Sequence, residues 1–347
     1  MSIRFPNEGE LCSAILLAWP HKDTDWQPWL GRIEICYLDF VAQLSQHAKV
    51  ILLCRDTNHQ QHIQNILKAG NTDITSIHFI PTTYNDTWTR DYGPISVLDN
   101  EHVQLLNFKF NAWGNKYKAS DDNAVNTFLQ QQNCFSVELK TFDIILEGGS
   151  IDTDGQGTLI TTSLCLISDS RNPAMQKQEW EIFFTQQFGI QKVLWLDHGG
   201  LIGDDTDSHV DMLARFCDGK TIAYTSCEDT SDIHYTPLTR MKRQLASFTT
   251  LSNKPYKLVA LPMPKAIIDD GKRLPASYAN FLILNNAVFV PCYDDPADNI
   301  ALSRLRECFP HHSIVGVNAR ALIQQYGSLH CASMQVPISA LAETGNW

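Results

Sequence analysis

Short runs of apolar, often β-branched residues alternate along the chain with longer stretches whose apolar positions recur every three or four residues. The runs begin near Ser76 (SIHFIP), Phe142 (FDIILE), Lys192 (KVLWLD), Tyr256 (YKLVALP) and Ser313 (SIVGVN). Their length and composition predict strands. The first four lead into a loop, then further strand-like runs, then a helical stretch. In YTPLTRMKRQLASF, Leu238, Met241, Leu245 and Phe248 fall on one helix face. RFCDGKTIAY predicts a hairpin turning at Asp218-Gly219, and FLILNNAVFV another at Asn285-Asn286. The order repeats about every 50–66 residues, counted from those starts. A fifth unit closes if the C-terminal segment pairs with the N-terminal AILLAW. Such a period predicts an α/β chain built by radial or solenoid repetition rather than a doubly wound sheet. No Pro/Gly/Ser-rich linker interrupts the pattern, so residues 1–347 read as one domain.

Composition narrows the class. The 347 residues are 44% hydrophobic and 19% charged, enough for a large core and free of low-complexity tracts. The N-terminus MSIRFPNEGE lacks an apolar signal core, and AILLAWP is too short to span a bilayer. A soluble, cytoplasmic protein is expected. The formal charge of −11 argues against a nucleic-acid partner and suits a cationic ligand. The ten cysteines are scattered without a CxxC pair, which disfavours a zinc ribbon, and without a signal peptide disulfides are not expected. DGKT at Asp218–Thr221 imitates the end of a P-loop, but the upstream glycine is missing: Ala214 stands there. The spacing around His209 and Asp211 is too unspecific to assign a metal.

Polar, glycine-containing clusters fall near corresponding points of the units: NDTWTRDYGP, EGGS, GDDTDSHVDM, LPASYANF and GSLHC. If the units surround an axis, these clusters meet at its mouth. In GDDTDSHVDM, Asp204, Asp205, Asp207 and Asp211 crowd His209; such carboxylates repel unless a cation lies among them. On a strand, His209 and Asp211 would share a face. Glu147 precedes two glycines that permit close ligand approach. Cys331 is a nucleophile candidate, although a free thiol with a pKa near ~8.5 is mostly protonated at neutral pH. A nearby histidine or a cationic substrate would favour its thiolate. His330 is adjacent, but in an extended segment it points to the opposite face. His209 is therefore the acid/base candidate, and His330 reads as a packed or hydrogen-bonded histidine.

Taken together, these clusters resemble the agmatine deiminase family, related to the bacterial peptidyl-arginine deiminases. The similarity also includes LAWPHKDTDW, FNAWGNKY, LEGGSIDTDGQGTLITT, RNP at Arg171–Pro173 and FPHHSIVG. It runs over nearly the whole chain, with the motifs in order. It implies a pentein fold, a five-bladed pseudosymmetric α/β propeller. It implies a catalytic Cys331, His209, Asp91 and Asp211, and substrate contacts from Trp88, Trp113, Glu147 and Asp205. It implies hydrolysis of agmatine to N-carbamoylputrescine and ammonia on a route to putrescine, with free or peptidyl arginine as the rival substrate. The expected partner is a small cationic guanidine, without nucleic acid, membrane, metal or organic cofactor; a homo-oligomer is left open. Arg90 and Arg273 are the candidates to meet an arginine carboxylate. Two departures stand out: Asp205 replaces the usual Glu four residues before the histidine, and Tyr326-Gly327-Ser328 replaces Gly-Gly-Asn before the cysteine.

Overall fold

The structure, a computed structural model, describes residues 3–342. Among them five units repeat one pattern: an antiparallel strand pair, a helix, and a third strand parallel to the second. In the first unit Ile95–Asp99 pairs with His102–Lys109, the helix is Asp122–Gln131, and Leu139–Ile145 completes the sheet. The second unit comprises Ile151–Thr153, Thr158–Thr162, helix Lys177–Phe188 and Lys192–Leu196. The third comprises Ala214–Asp218, Thr221–Ser226, helix Tyr235–Ser247 and Lys257–Pro262. The fourth comprises Leu282–Leu284, Ala287–Cys292, helix Ala297–Cys308 and Ser313–Asn318.

The fifth unit joins the two ends of the chain. Met334–Pro337 pairs antiparallel with Cys12–Ala18, with Met334 opposite Leu16, as the sequence pattern predicts. Helix Leu30–Leu44 then returns the chain to Lys49–Cys54, parallel to Cys12–Ala18. One αβ pair is added beyond the repeat: helix Thr57–Ala69 and strand Ile77–Pro81, which lies parallel on Lys49–Cys54. The run at Ser76 is therefore an extra edge strand and not the third strand of a unit. The sequence could not separate the two, because both are short apolar runs after a helix.

The central strands are apolar on both faces, as parallel strands covered by helices must be. Val50, Ile51, Leu52 and Leu53 are all fully buried, as are Ile15, Leu16 and Leu17. Helix Tyr235–Ser247 buries Leu238, Met241 and Leu245. Phe248 falls one residue beyond it, in extended backbone at φ −77° and ψ 147°, and packs on the core only in part. Both expected hairpins form, the first turning at Gly219-Lys220, one residue later than expected, and Asn285 takes the left-handed backbone at φ 53° that its tight turn requires. Among the described residues no sheet closes on itself, and no helix is long and apolar enough to cross a membrane.

Candidate active site

Each unit carries a polar segment immediately before its first strand, and these five segments converge. The first supplies Trp88 and Asp91, on and beside the short helix Thr89–Tyr92. The second supplies Glu147 and Gly149, at the turn Gly148–Ser150. The third supplies His209 and Asp211, at the turn Val210–Met212. The fourth supplies Asn280, and the fifth Cys331. Cross-links hold them in register. Thr89 donates its hydroxyl to Leu16 O at 2.9 Å or Ala332 O at 3.0 Å, and the Arg90 amide donates to Cys331 O at 3.1 Å.

Asp91, Glu147, Asp211 and His209 are all at most 3% exposed. Asp91 accepts the Trp113 indole N–H at 2.9 Å on one oxygen and the Gly149 amide at 2.9 Å on the other. Trp113 reaches it from left-handed backbone at φ 56°, within a run in which Ala112, Gly114 and Asn115 also have positive φ. That conformation costs roughly 1–2 kcal/mol for a non-glycine residue. A buried hydrogen bond to a charged acceptor is of the size needed to offset it. Burial, with Asp211 and Glu147 nearby, pushes the Asp91 carboxyl up, although His209 and the Trp113 N–H oppose the shift.

Asp211 is held differently. Its Oδ2 lies 2.8 Å from His330 Nδ1, while His330 Nε2 lies 2.8 Å from Glu8 Oε2. Glu8 in turn meets the buried Arg215. Burial pushes Asp211 up, but the His330 hydrogen bond and the charges of His330, His209 and Arg215 outweigh it and hold the carboxyl below its ordinary value. The other oxygen, Oδ1, has no partner and is free to accept.

His209 stands between two carboxylates without bonding either. Nδ1 is 3.6 Å from Asp91 Oδ1 and Nε2 is 3.9 Å from Glu147 Oε2. Burial alone would lower its pKa; Asp91, Cys165 and Glu147 together raise it well above the ordinary imidazole value. Its surroundings thus favour the charged form of the ring. Glu147, on the Nε2 side of the ring, does not line the cleft, and neither do His209 and Asp211. Arg171, from the RNP motif, grips both Glu147 oxygens at 2.8 and 3.0 Å and also meets Asp207 at 2.6 Å. Glu147, Cys165 and His209 are close enough to share a cation, with candidate atoms within 4.8 Å of one another. Arg171 already occupies the carboxylate, and we assign no metal there.

Cys331 sits in a turn and not in an extended segment. Its Sγ lies 3.5 Å from Asp211 Oδ2 and accepts the Asn280 amide N–H at 3.1 Å. The Asn280 side-chain oxygen Oδ1 accepts the backbone N–H groups of His330 at 3.0 Å and Cys331 at 3.3 Å. Burial, then Asp211 and Asp91, push the thiol well above its ordinary value. His330 does point away from the cleft, as expected, but its bonds to Asp211 and Glu8 make it part of the site's support.

The narrow cleft over Cys331 is lined by Trp88, Asp91, Trp113, Asp205, Tyr117, Tyr326 and Gly327, with Asp25 and Asp86 at its outer end. It adjoins a vestibule of about 490 Å³ that shares Asp25, Asp86, Trp113 and Tyr117. Of the residues expected at the substrate, Trp88, Trp113 and Asp205 line this cleft together with Asp91 and Cys331. Burial pushes the Asp205 carboxyl up to about 6 and that of Asp86 up to about 7. Tyr117 donates its hydroxyl to Asp205 at 3.0 Å. No Lys or Arg lines the cleft among the described residues. Arg90 is directed elsewhere, donating to Gln335 at 2.6 Å, and Arg273 pairs with Asp232 at 2.7 Å. Gly327 is required here: a Cβ would come within 2.4 Å of the Trp88 ring. Tyr326, where the family pattern has glycine, adopts left-handed backbone at φ 68° and places its side chain at the cleft.

The sequence reading missed Asn280, Gly149, Asp86 and Arg171 as contributors. The first two occupy the same place in their units as Asp91, Asp211 and Cys331, so the repeat itself was the available signal.

The match to known proteins agrees with this geometry. Residues 4–337 match the model of the Porphyromonas-type peptidyl-arginine deiminase, and the chain belongs to that family. A structure of the C. jejuni agmatine deiminase, a cysteine-to-serine variant with substrate bound, is 39% identical over 98% of this chain and 97% of that one, with a TM-score of 0.90. A Porphyromonas gingivalis structure provisionally called an arginine deiminase is also 39% identical, over 98% of this chain and all of that one, with a TM-score of 0.92. A Vibrio parahaemolyticus protein provisionally named agmatine deiminase is 30% identical, covering 96% of each chain. These relationships support a hydrolase acting on carbon–nitrogen bonds.

Gly149 gives a direct check on the convergence. A Cβ there would lie 2.6 Å from His209 Nδ1, 2.8 Å from Asp91 Oδ1 and 3.0 Å from Asp211 Oδ2. Gly149→Ala is expected to lower turnover by at least ~10²-fold, because misplacing reacting groups by an ångström costs about that much. Circular dichroism should show the fold retained. Near-normal turnover in this variant would mean that these three groups do not act together.

Proposed function

We propose that the protein is an agmatine deiminase, converting agmatine and water to N-carbamoylputrescine and ammonia. The observation that carries this reading is the charge of the cleft. Asp91 and Asp211 flank the thiol, Asp25, Asp86 and Asp205 line the outer part, and no Lys or Arg lines it among the described residues. A dication with a guanidinium at one end and an ammonium at the other complements both sets. Arginine would bring an α-carboxylate to this acidic lining; the cations nearby, Arg55 and Lys118, line the adjoining vestibule and not the cleft itself. Arg90 and Arg273, the residues suited to that task, are engaged elsewhere.

The geometry supports one sequence of steps. A guanidinium carbon is a poor electrophile because its charge is delocalised over three nitrogens. Asp91 and Asp211 grip its N–H edges and fix the carbon in front of Cys331. The arriving cation offsets the two carboxylates that hold the thiol proton on, so that proton passes to solvent and the thiolate attacks. A C–S bond forms. His209, in its charged form, gives its proton to the leaving nitrogen; the C–N bond breaks and ammonia departs. Water then attacks the S-alkylthiouronium and His209 takes one of its protons; the C–S bond breaks, Cys331 leaves as thiolate, and the protonated urea releases the second proton to leave the neutral urea. Residues 1–347 act as one catalytic domain in this reading. The five units form the blades of a pentein propeller, with the cleft at its axis, and the product serves putrescine synthesis in the cytoplasm.

Direct competition of agmatine against free arginine and an arginyl peptide at neutral pH tests the assignment. Agmatine is expected to lead in kcat/KM by at least ~10²-fold, since an unpaired carboxylate facing acidic side chains costs a few kcal/mol and 1.4 kcal/mol is tenfold. Victory for arginine or the peptide would replace the assignment with the rival deiminase.

The raised carboxyls give a pH signature. Asp205 and Asp86, with values near 6 and 7, are charged above those values and take up protons as pH falls through them. The ammonium loses its partners in the same window. KM for agmatine should therefore rise as pH drops from 8 to below 6, while KM for an alkylguanidine without the amine changes much less. Parallel behaviour of the two compounds would place the tail's partners elsewhere.

A further inference from the structure

Asp211 presents its two oxygens unequally. Oδ1 is buried without a partner, while Oδ2 lies 2.8 Å from His330 Nδ1 and 3.5 Å from Cys331 Sγ. The far side of the His330 ring meets a second carboxylate, for Nε2 lies 2.8 Å from Glu8 Oε2. Glu8 comes from the loop before strand Cys12–Ala18, and its side chain is buried, as is that of His330. A neutral imidazole carries one N–H and one lone pair. Whichever nitrogen held that proton, the other would turn its lone pair toward a carboxylate oxygen at hydrogen-bond distance. Both contacts are attractive only when a proton sits at each end of the ring. The carboxyls are poorly placed to supply one. Glu8 Oε1 accepts the Ile283 amide at 2.7 Å, and Oε2 also meets Arg215. Burial pushes the Glu8 carboxyl up, but Arg215 and the neighbouring His330 outweigh it and hold it below its ordinary value, as Asp211 is held.

We propose that Glu8 is a positioning residue for the active centre, holding a proton on each nitrogen of His330 and so keeping that ring charged against Asp211. The charged ring ties Asp211 Oδ2 and leaves Oδ1 as the oxygen open to an N–H of the guanidinium. It also offsets the charge that Asp211 sets beside the Cys331 sulfur, which eases loss of the thiol proton. With Glu8 neutralised the ring can shed one proton, since an amide in its place can donate to the lone pair left on Nε2. The other charged groups along this chain of contacts are the same in the variant below. Arg215 keeps Asp152 at 3.3 Å and the Phe281 carbonyl at 2.9 Å. Arg90 donates its Nε–H to the His330 carbonyl at 3.3 Å. Asp91 and the His209 ring, 3.6 Å apart, stand on the side of Asp211 away from Glu8. The use of Oδ1 by a guanidinium rests on the deiminase reading; the two protons on the ring do not.

The test follows the His330 ring by ¹⁵N NMR in wild type and Glu8→Gln near neutral pH, with His330→Gln to assign its resonances. Wild type is expected to show protons on both ring nitrogens, and Glu8→Gln on one. In parallel, iodoacetamide, an uncharged reagent, is applied at mildly alkaline pH and the peptide that holds Cys331 is followed by mass spectrometry. A thiol that is mostly protonated reacts in proportion to its thiolate fraction, so a midpoint raised by about half a pH unit slows it roughly threefold. Glu8→Gln is expected to slow alkylation of Cys331 by about threefold or more. Loss of the Glu8 charge with the ring unchanged would speed it instead. A single N–H in wild type, two in the variant, or an alkylation rate that is unchanged or faster would each overturn the proposal. Should circular dichroism show that Glu8→Gln does not fold, the wild-type ring decides alone, with two N–H groups for the proposal and one against it. Neither measurement needs turnover. If wild type releases no ammonia from agmatine, the functional reading fails while the state of the His330 ring is still decided.

Discussion

Three carboxylates buried around one imidazole set the terms for the rest of the molecule. Asp91, Glu147 and Asp211 are taken out of water within a few ångströms of His209, and each would be costly there without a dedicated partner. The fold gives each a different one. Asp91 has the Trp113 indole and the Gly149 amide, with the His209 ring 3.6 Å away. Glu147 has the Arg171 guanidinium. Asp211 has His330, backed by Glu8 and Arg215. The graded supply of partners matters more than the number of charges. The fully paired Glu147 sits on the Nε2 side of the ring, while the two less paired carboxylates sit beside the thiol, where a guanidinium would complete the neutralisation.

The same negative charge explains why the thiol is protected at rest. Burial and the charges of Asp211 and Asp91 favour the protonated sulfur, and in the proposed mechanism an arriving cation would offset them. Asn280 offers the sulfur a donor. Farther out, the shorter Asp205 is compensated by neighbours: Tyr117 bonds its carboxylate, and Tyr326 occupies space at the cleft where the family pattern has glycine. The two departures therefore fall on one part of the cleft, the part that would meet the substrate's tail.

Much of this could be read from the chain because the repeat puts polar segments at equivalent points and the candidate residues lie inside them. Cys331, His209, Asp91 and Asp211 are in compact motifs, and strand pairing of the two chain ends followed from two complementary apolar runs. What could not be read depends on partners far apart in sequence. Glu8 meets His330 across nearly the whole chain, and Arg171 meets Glu147 from a motif with no charge pattern of its own. Glu147 was expected at the substrate because its two glycines suggest close approach; those glycines let Gly149 nest among Asp91, His209 and Asp211. Phe248 fits the helical period, yet the helix ends before it, since periodicity does not mark where backbone hydrogen bonding stops.

The central claim is that Cys331 carries the substrate's carbon during turnover. Rapid acid quenching of the enzyme with saturating agmatine, followed by peptide mass spectrometry, tests it most directly. The account predicts a burst of one ammonia per active site, accompanied by a mass increment of agmatine less ammonia on the peptide that holds Cys331. An ammonia burst with no mass on that peptide, or with the same increment on a different cysteine, would contradict it.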